Sequence, residues 1–292
     1  MISVIITAYR EERTIQRAIK QVLNQLTKKD ELIITAPDEE TRKEVKKIKD
    51  RRIKFIQDKG NGKPSALNEA LPKAKGEILV LTDGDVYIDE KAIEEIIKPF
   101  RYKNIGAATG RPITINKRNN MLGYWSHLLT DAGAHKKRIA QRKKDKFIAG
   151  SGYLLAIKKG LIKSIPENIL SDDAYISHSI ANQGYKIVYV PNARVYVKYP
   201  STWKDWINQK VRSTGGYKQL KKVIQTKENM RSFTKESIKI HWALGYPKTI
   251  KEFIWTLVLI VARIYLWILI IWRTKIRKEE FNKIWVRIES TK

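Results

Sequence analysis

The segment Glu77-Ile78-Leu79-Val80-Leu81-Thr82-Asp83-Gly84-Asp85 is an apolar run that ends in two carboxylates. A run of this kind reads as a buried strand. Two acids at its end, two residues apart, can point the same way and share a divalent cation. Hard cations take oxygen ligands and bridge readily to substrate phosphates. A buried strand that delivers acids into a crevice is how open α/β sheets present ligand sites. A plain acidic surface turn would have the same local sequence, so the neighbouring segments have to decide between the two.

Upstream, apolar runs at 2–8 (ISVIITA), 31–36 (ELIITA) and 52–57 (RIKFIQ) read as three more strands. Between them lie helical patterns. Ile15, Ile19, Val22, Leu23 and Leu26 recur at helical spacing within 12–26, and 39–50 is a charged helix. The loop Lys59 to Pro64 leads into a helix with Ser65 as its expected N-cap. Alternation at this pitch implies parallel strands joined by right-handed crossovers, an α/β architecture. Downstream, 91–100 and 172–183 read as helices. Strands are expected at 105–109, from Tyr153 to Ile157, and at 185–190, the last ending at Pro191. Residues 202–230 read as amphipathic helices broken at Gly215-Gly216.

The 292 residues carry 58 Lys or Arg against 30 Asp or Glu, a net charge of +28. Such a surplus predicts attraction to polyanions: nucleic acid, anionic lipid or phosphorylated substrates. A thermophile surface rich in Lys and Glu gives the same balance. The stretch 136–146 (KKRIAQRKKDK) reads either as a solvated helix face or as a patch facing lipid headgroups or phosphate. The absence of cysteine excludes disulfides, thiolate metal sites and a Cys nucleophile. The four histidines have no zinc spacing. No charged-then-apolar leader precedes the opening strand, so secretion is not expected.

Phe253 to Trp272 is nearly all apolar and long enough for a membrane helix. Trp255, Trp267 and Trp272 suit an interfacial location. Lys248 and Lys251 flank one end; Arg273, Lys275, Arg277 and Lys278 flank the other. Arg263 near the middle would cost about 2.5–3.5 kcal/mol in a spanning helix. A spanning helix, an in-plane or re-entrant helix and a buried helix of a soluble domain all remain open at this point.

Six landmarks in order, over residues 1 to about 216, resemble the family 2 glycosyltransferases, which have the GT-A fold. The first is SVIITAYREE, similar to the family's opening strand and Pro-x-Tyr-Asn-Glu turn, with Thr7 in the place of Pro and Arg10 in that of Asn. The resemblance implies that Thr7, Tyr9 and Glu11 sit at the nucleotide. In the second, Ala36-Pro37 stand where the family has an acidic pair; Asp38, just beyond, is either a base contact or a helix N-cap. The third, Gly60 to Asn68, places Lys63 at a phosphate; it lacks the spacing of a Walker loop.

The fourth is Asp83-Gly84-Asp85, in the place of the family's Asp-x-Asp. This implies Mg2+ or Mn2+ held by Asp85 against the diphosphate of a nucleotide sugar, with Asp83 either touching the ribose of that nucleotide sugar or completing the metal's shell. The fifth is Gly150-Ser151-Gly152, implied to line the acceptor site, followed by Asp172-Asp173. Asp172 is placed with the acceptor and Asp173 as general base. Two acids opening a helix also satisfy the helix dipole. The sixth runs from Gln209 to Gly216 and is similar to the family's Gln-x-x-Arg-Trp motif, with Ser213 in the place of Trp. It puts Gln209 and Arg212 at the diphosphate and argues against long-chain polymer synthesis.

The resemblance thus implies an α/β chain of GT-A type: a Rossmann-like, mostly parallel mixed sheet flanked by helices, with C-terminal amphipathic or membrane helices. The expected organisation is a catalytic domain at 1–200, interfacial amphipathic helices at 201–247, and a membrane-associated or transmembrane helix with a basic tail at 248–292. The expected activity is inverting transfer of a sugar from a nucleotide-diphosphate donor to a lipid-linked or glycan acceptor. It would take place at an anionic membrane, on the cytoplasmic side of the cell membrane, without nucleic acid. A sugar-phosphate nucleotidyltransferase would need a Gly-rich basic loop after the first strand, where Tyr9 and Glu11 stand. A nucleic-acid-binding protein would need base-stacking aromatics on its strands and no lipid-length apolar run.

Overall fold

The computed structural model describes residues 1–226, 240–272 and 288–291. The basic flank Arg273 to Lys278 and the end of the 202–230 segment lie outside the described residues. Eight strands form one mixed sheet in the order β3-β2-β1-β4-β7-β6-β8-β5. They are β1 (Ile2–Thr7), β2 (Glu31–Thr35), β3 (Ile53–Ile56), β4 (Ile78–Asp83), β5 (Tyr87–Ile88), β6 (Ile105–Thr114), β7 (Leu155–Lys158) and β8 (Lys186–Val197). The first four pair in parallel, as the alternating pattern requires. Beyond β4 the sheet turns mixed: β7 is antiparallel to β4 and β6, β8 is parallel to β6, and β5 is antiparallel to β8.

The buried strands alternate between two cores. Val4, Ile6, Leu32, Ile34 and Val80 face α1 (Ile15–Leu23), α2 (Glu39–Lys46) and later α4 (Ala92–Ile97). Ile5, Ile33, Leu79 and Leu81 face α3 (Lys63–Ala70) and α7 (Asp172–Asn182). A strand buried on both faces is apolar at most positions, and the buried exceptions Ser3 and Thr82 are hydrogen-bonded to Glu31 and the Tyr153 carbonyl.

A third core lies beyond the sheet. It joins α5 (Met121–Leu128), α8 (Trp203–Val223) and α10 (Ile250–Ile271) through Tyr124, Trp125, Trp206, Val211, Leu259 and Leu266. A π-helical stretch, Leu129–His135, links α5 to α6 (Lys136–Lys143), which carries much of the basic segment 136–146; α9 is short (Ile240–Leu244). Polar bonds fix α10 on this core. Arg118 forks onto Glu252 through Nε–Oε1 at 2.6 Å and Nη2–Oε2 at 2.8 Å. Trp125 Nε1 donates to the Trp255 carbonyl at 2.7 Å, and Tyr124 Oη pairs with Thr256 Oγ1 at 2.6 Å.

Strand β6 runs on to Thr114 rather than stopping at 109, and β7 starts at Leu155 rather than Tyr153; three further sequence expectations change. Ser65 does not cap α3: the helix starts two residues earlier, behind Gly62, with Pro64 in its first turn. Proline suits that position because its missing N–H would lack a partner there anyway. Strand β8 does not end at Pro191 but continues to Val197. The β6 register jumps from Thr109↔Tyr189 to Arg111↔Arg194, so the proline falls in a bulge where no ladder donor is required.

The third change is at Gly215-Gly216, which does not break α8. A Cβ at Gly216 would lie 2.2 Å from Ser171 Oγ and 3.2 Å from Leu170 Cβ, so this glycine lets α8 press on the start of α7. Gly216→Ala should therefore lower the thermal midpoint, although Ala ordinarily favours a helix interior by about 1 kcal/mol. Adding Ser171→Ala should recover part of the loss, because the Ser171 side chain makes no capping bond. A raised midpoint in the single variant would show that the two helices are not in tight contact.

Candidate active site

The C-terminal ends of β1 and β4 lie side by side, with Thr7 registered against Asp83. Thr7 Oγ1 donates to Asp83 Oδ1 at 3.2 Å, and Lys63 Nζ lies 2.6 Å from the same oxygen. Lys63 opens α3 and reaches across to the start of α7, 3.7 Å from Asp172 Oδ2. It also points at the Gly152 carbonyl at 3.5 Å. The Gly152 N–H in turn donates to Asp173 Oδ2 at 3.0 Å, and the Ala174 N–H donates to Asp173 Oδ1 at 2.8 Å. Acids from β4 and α7, ninety residues apart in sequence, are thus gathered around one ammonium group.

Backbone turns hold this arrangement. Gly150 N–H donates to Ser177 Oγ at 2.8 Å, and Ser177 Oγ donates to the Asp173 carbonyl at 2.6 Å. Ser151 N–H donates to Thr109 Oγ1 at 2.9 Å. A Cβ on Gly152 would come within 3.3 Å of Lys63 Nζ and 3.7 Å of Asp173 Oδ2, so a side chain here would crowd the cluster.

The charges bear out the geometry. Burial pulls the Lys63 ammonium down, but Asp83, then Asp172 and Asp173, push it well above the usual lysine range. Burial raises the Asp173 carboxyl to about 6; Asp172 adds to the rise, and Lys63 and the two N–H donors limit it. A carboxylate poised near neutrality suits proton abstraction. Tyr153 links the acids to α8. Burial pushes its hydroxyl well above the usual range, Tyr199 and Asp85 add to this, and Arg212 opposes it. Arg212 and Asp85 thus both lie within electrostatic reach of the same phenol. Gln209, one turn before Arg212, faces a small cavity lined also by Leu122, Ser126, Tyr199 and Lys210.

In the turn after β1, Tyr9 is exposed and Arg10, with a positive φ of 53°, lies over its ring. Glu11 is buried; its carboxylate accepts from Thr14 Oγ1 at 2.8 Å, and its N–H donates to Thr41 Oγ1 at 2.9 Å. Asp38 is the N-cap of α2, accepting from Thr41 N–H at 2.9 Å, and its second oxygen accepts from Arg10 N–H at 2.8 Å. It ties the turn after β1 to the turn after β2.

Three groups escaped the sequence reading. Tyr153 was absorbed into an expected strand, but β7 starts only at Leu155. Ser177, one turn after Asp173, was legible from its i, i+4 spacing. Asp58, just past β3, is buried; its Oδ1 accepts from Gly60 N–H at 2.8 Å, while its Oδ2 has no hydrogen-bond partner among the described residues. Burial raises its pKa, and Glu69 and Asp38 raise it further. No pattern marks such a residue in the sequence, because its environment comes from loops that only folding brings together.

A family model described as "Glycosyltransferase like family 2" matches residues 1–216. The chain belongs to glycosyltransferase family 2. It is 27% identical over 229 residues to the probable glycosyltransferase YdaM of Bacillus subtilis, covering 74% of this chain and 54% of that protein. It is 26% identical over 233 residues to the poly-beta-1,6-N-acetyl-D-glucosamine synthase of Staphylococcus aureus, covering 75% and 55%. The chain thus spans about half the length of these curated relatives. A similar solved structure is the mannosyltransferase PcManGT from Pyrobaculum calidifontis in complex with GDP-Man and Mn2+, with a TM-score of 0.61 at 17% identity, covering 97% of this chain and 85% of that one. That likeness bears out the GT-A architecture expected for this family 2 chain.

Lys63→Met tests the cluster. Without the ammonium, three carboxylates face one another with too little compensation, and the Asp173 carboxyl should rise above about 6 because Lys63 is what holds it down. Protonation relieves the repulsion, so the loss should be largest above neutrality and shrink as pH falls through that range. Urea unfolding should show a deficit on the order of 2 kcal/mol at pH 8 and clearly less at pH 5. An equal deficit at both pH values would mean that Lys63 acts by packing alone.

Proposed function

We propose that this chain transfers a glycosyl group, with inversion, from a nucleotide-diphosphate sugar to an acceptor hydroxyl or phosphate. The observation that carries this reading is Asp173, a carboxylate with a raised pKa, held by the Gly152 N–H beside the cluster of Lys63, Asp83 and Asp172. Inversion at an anomeric carbon needs one base to take the acceptor proton as the new bond forms, and Asp173 is that base. Its two backbone donors fix the carboxylate so that no reorientation is needed. Gly150, Ser151 and Gly152 shape the acceptor side, with Asp172 beside them.

On the donor side, Thr7, Tyr9 and Glu11 form the turn that receives the nucleoside. Asp38 positions that turn through the Arg10 N–H. Asp58, whose second oxygen has no partner among the described residues, is a further acid beside that region for the base. Lys63, Gln209 and Arg212 serve the diphosphate; an Arg fork pairs well with phosphate oxygens.

The donor set also fits a hard divalent cation, Mg2+ or Mn2+. Among the described residues no cluster of three or more metal-ligating side chains occurs. Asp83 and Asp85 are both half-buried carboxylates, and Lys63 and Thr7 engage Oδ1 of Asp83. Two carboxylates completed by phosphate oxygens and water are a usual set for Mg2+. Bound there, the cation would neutralise charge on the leaving diphosphate. The basic surface and the apolar α10 support an acceptor carried at a membrane, lipid-linked or a glycan on such a lipid.

Asp173→Asn should leave donor binding within about twofold while turnover falls by about 10²–10⁴. Because the native carboxyl is raised above its ordinary value, ionised Asp173 costs stability above about pH 6, so the thermal midpoint at pH 8 should stay level or rise. Parallel loss of binding and turnover would make Asp173 structural. The wild-type rate should climb as pH rises through about 6.

Asp85→Ala should weaken donor binding in the presence of Mn2+ at least tenfold in calorimetry and abolish the difference made by adding chelator. An unchanged Mn2+ titration would remove the metal role. UDP-, GDP- and dTDP-sugars compared by thermal stabilisation would identify the donor.

A further inference from the structure

Helix α10 has two unlike faces. Glu252, Thr256, Leu259, Ala262, Leu266 and Ile270 are buried along nearly its whole length, against the core shared with α5 and α8. On the opposite side Ile254, Val258, Val261, Ile264, Ile268 and Trp272 are exposed, Val261 at 65% and Ile268 at 62%. These positions follow a helical period and carry no charge. Arg263 is on neither exposed row: it falls one turn after Leu259 and one turn before Leu266, half-buried on the domain side.

This geometry distinguishes two ways of meeting a bilayer. The buried seam from Glu252 to Ile270 runs about 27 Å at 1.5 Å per residue, close to the roughly 30 Å thickness of a hydrocarbon core. A helix crossing the bilayer would carry α5 and α8 in beside it, together with exposed polar groups such as Asn119, Asn120 and Lys204. Polar backbone and side chains facing lipid cost several kcal/mol each. A helix lying flat would put only its apolar face into lipid and leave Arg263 against protein. The chemistry at its start agrees. Lys117, Lys248 and Lys251 are exposed there, and Lys251 Nζ sits 4.9 Å over the Trp255 ring. The net charge of +28 complements an anionic surface, to which nearby basic residues are attracted.

We propose that α10 lies in the plane of an anionic bilayer, its outer face sunk at the headgroup–acyl boundary and its inner face holding the catalytic domain. The chain rests on the membrane through this helix and does not cross it there. The lack of any cysteine makes the test direct. Ile254→Cys, Val261→Cys and Ile268→Cys in the full chain, each labelled with a fluorophore, are mixed with phosphatidylcholine–phosphatidylglycerol vesicles carrying a nitroxide near the headgroup or deep in the acyl chain.

All three labels should be quenched to a similar extent, more by the shallow nitroxide than by the deep one. Binding should fall at least tenfold on pure phosphatidylcholine. A label at 261 quenched chiefly by the deep nitroxide, with 254 and 268 shallower, would mean a spanning helix and overturn the proposal. Absence of quenching, with a dimer by light scattering, would mean that a second copy covers this face and would equally overturn it. Val261→Lys, on the exposed side, should keep its circular dichroism and its donor binding in lipid-free buffer while vesicle binding drops at least tenfold. Failure of the docking proposal is thereby separable from failure of the catalytic one.

Discussion

The Lys63 ammonium, set between Asp83 and Asp172, is the interaction on which the site depends. Asp83 at the end of β4 and Asp172 at the start of α7 both lie against this one ammonium group, which offsets the repulsion between acids that two distant parts of the chain bring together. Lys63 supplies that charge from the first residue of α3. Its position explains why the Gly60–Pro64 loop is shaped to start a helix there and why residue 152 has no side chain. The lysine is tied to Asp83 and acts on Asp172 and Asp173 by proximity, which holds the acids together while leaving Asp173 accessible and poised near neutral pH.

Around this centre the fold divides its labour. The parallel half of the sheet presents the turn after β1 and the two carboxylates after β4. The antiparallel insertion of β7 brings the Gly150–Gly152 loop back across the sheet, so that its backbone N–H groups reach Asp173 and Thr109. Helix α8 then packs against α7 through Gly216, and its Arg212 lies within electrostatic reach of Tyr153. The groups proposed for the donor side and for the acceptor side therefore come from different parts of the chain. The third core couples this machinery to α10: Trp125 and Tyr124 on α5 bond to α10 directly, and α8 carries both Trp206 of that core and Arg212 of the cleft.

Much of this was legible in the residues. Largely apolar runs located the four parallel strands, because a strand covered on both faces admits few polar positions, and those it has, such as Ser3 and Thr82, are hydrogen-bonded. The acidic pair after the fourth, the Gly-rich loop and the paired acids after it identified the cleft. Position 38 was legible only as a choice between a cap and a base contact; the structure shows both carboxylate oxygens holding backbone N–H groups. Asp58 and Tyr153 were invisible, since nothing in a local pattern says that a loop acid will be buried, or that a tyrosine beside a glycine will lie within electrostatic reach of Asp85 and Arg212.

Sequence alone determined the strand–helix alternation, the excess of basic charge, the identity of the acids and the presence of one long apolar helix, because composition and period are local properties. Tertiary structure decided which acids meet, how far α8 and β8 continue past their glycines and proline, and which side of α10 is left uncovered. Those outcomes depend on contacts between residues far apart in the chain: a glycine tolerates a helix when another helix presses on it, a proline tolerates a strand where the ladder bulges, and a charge in an apolar helix is acceptable when that side faces protein.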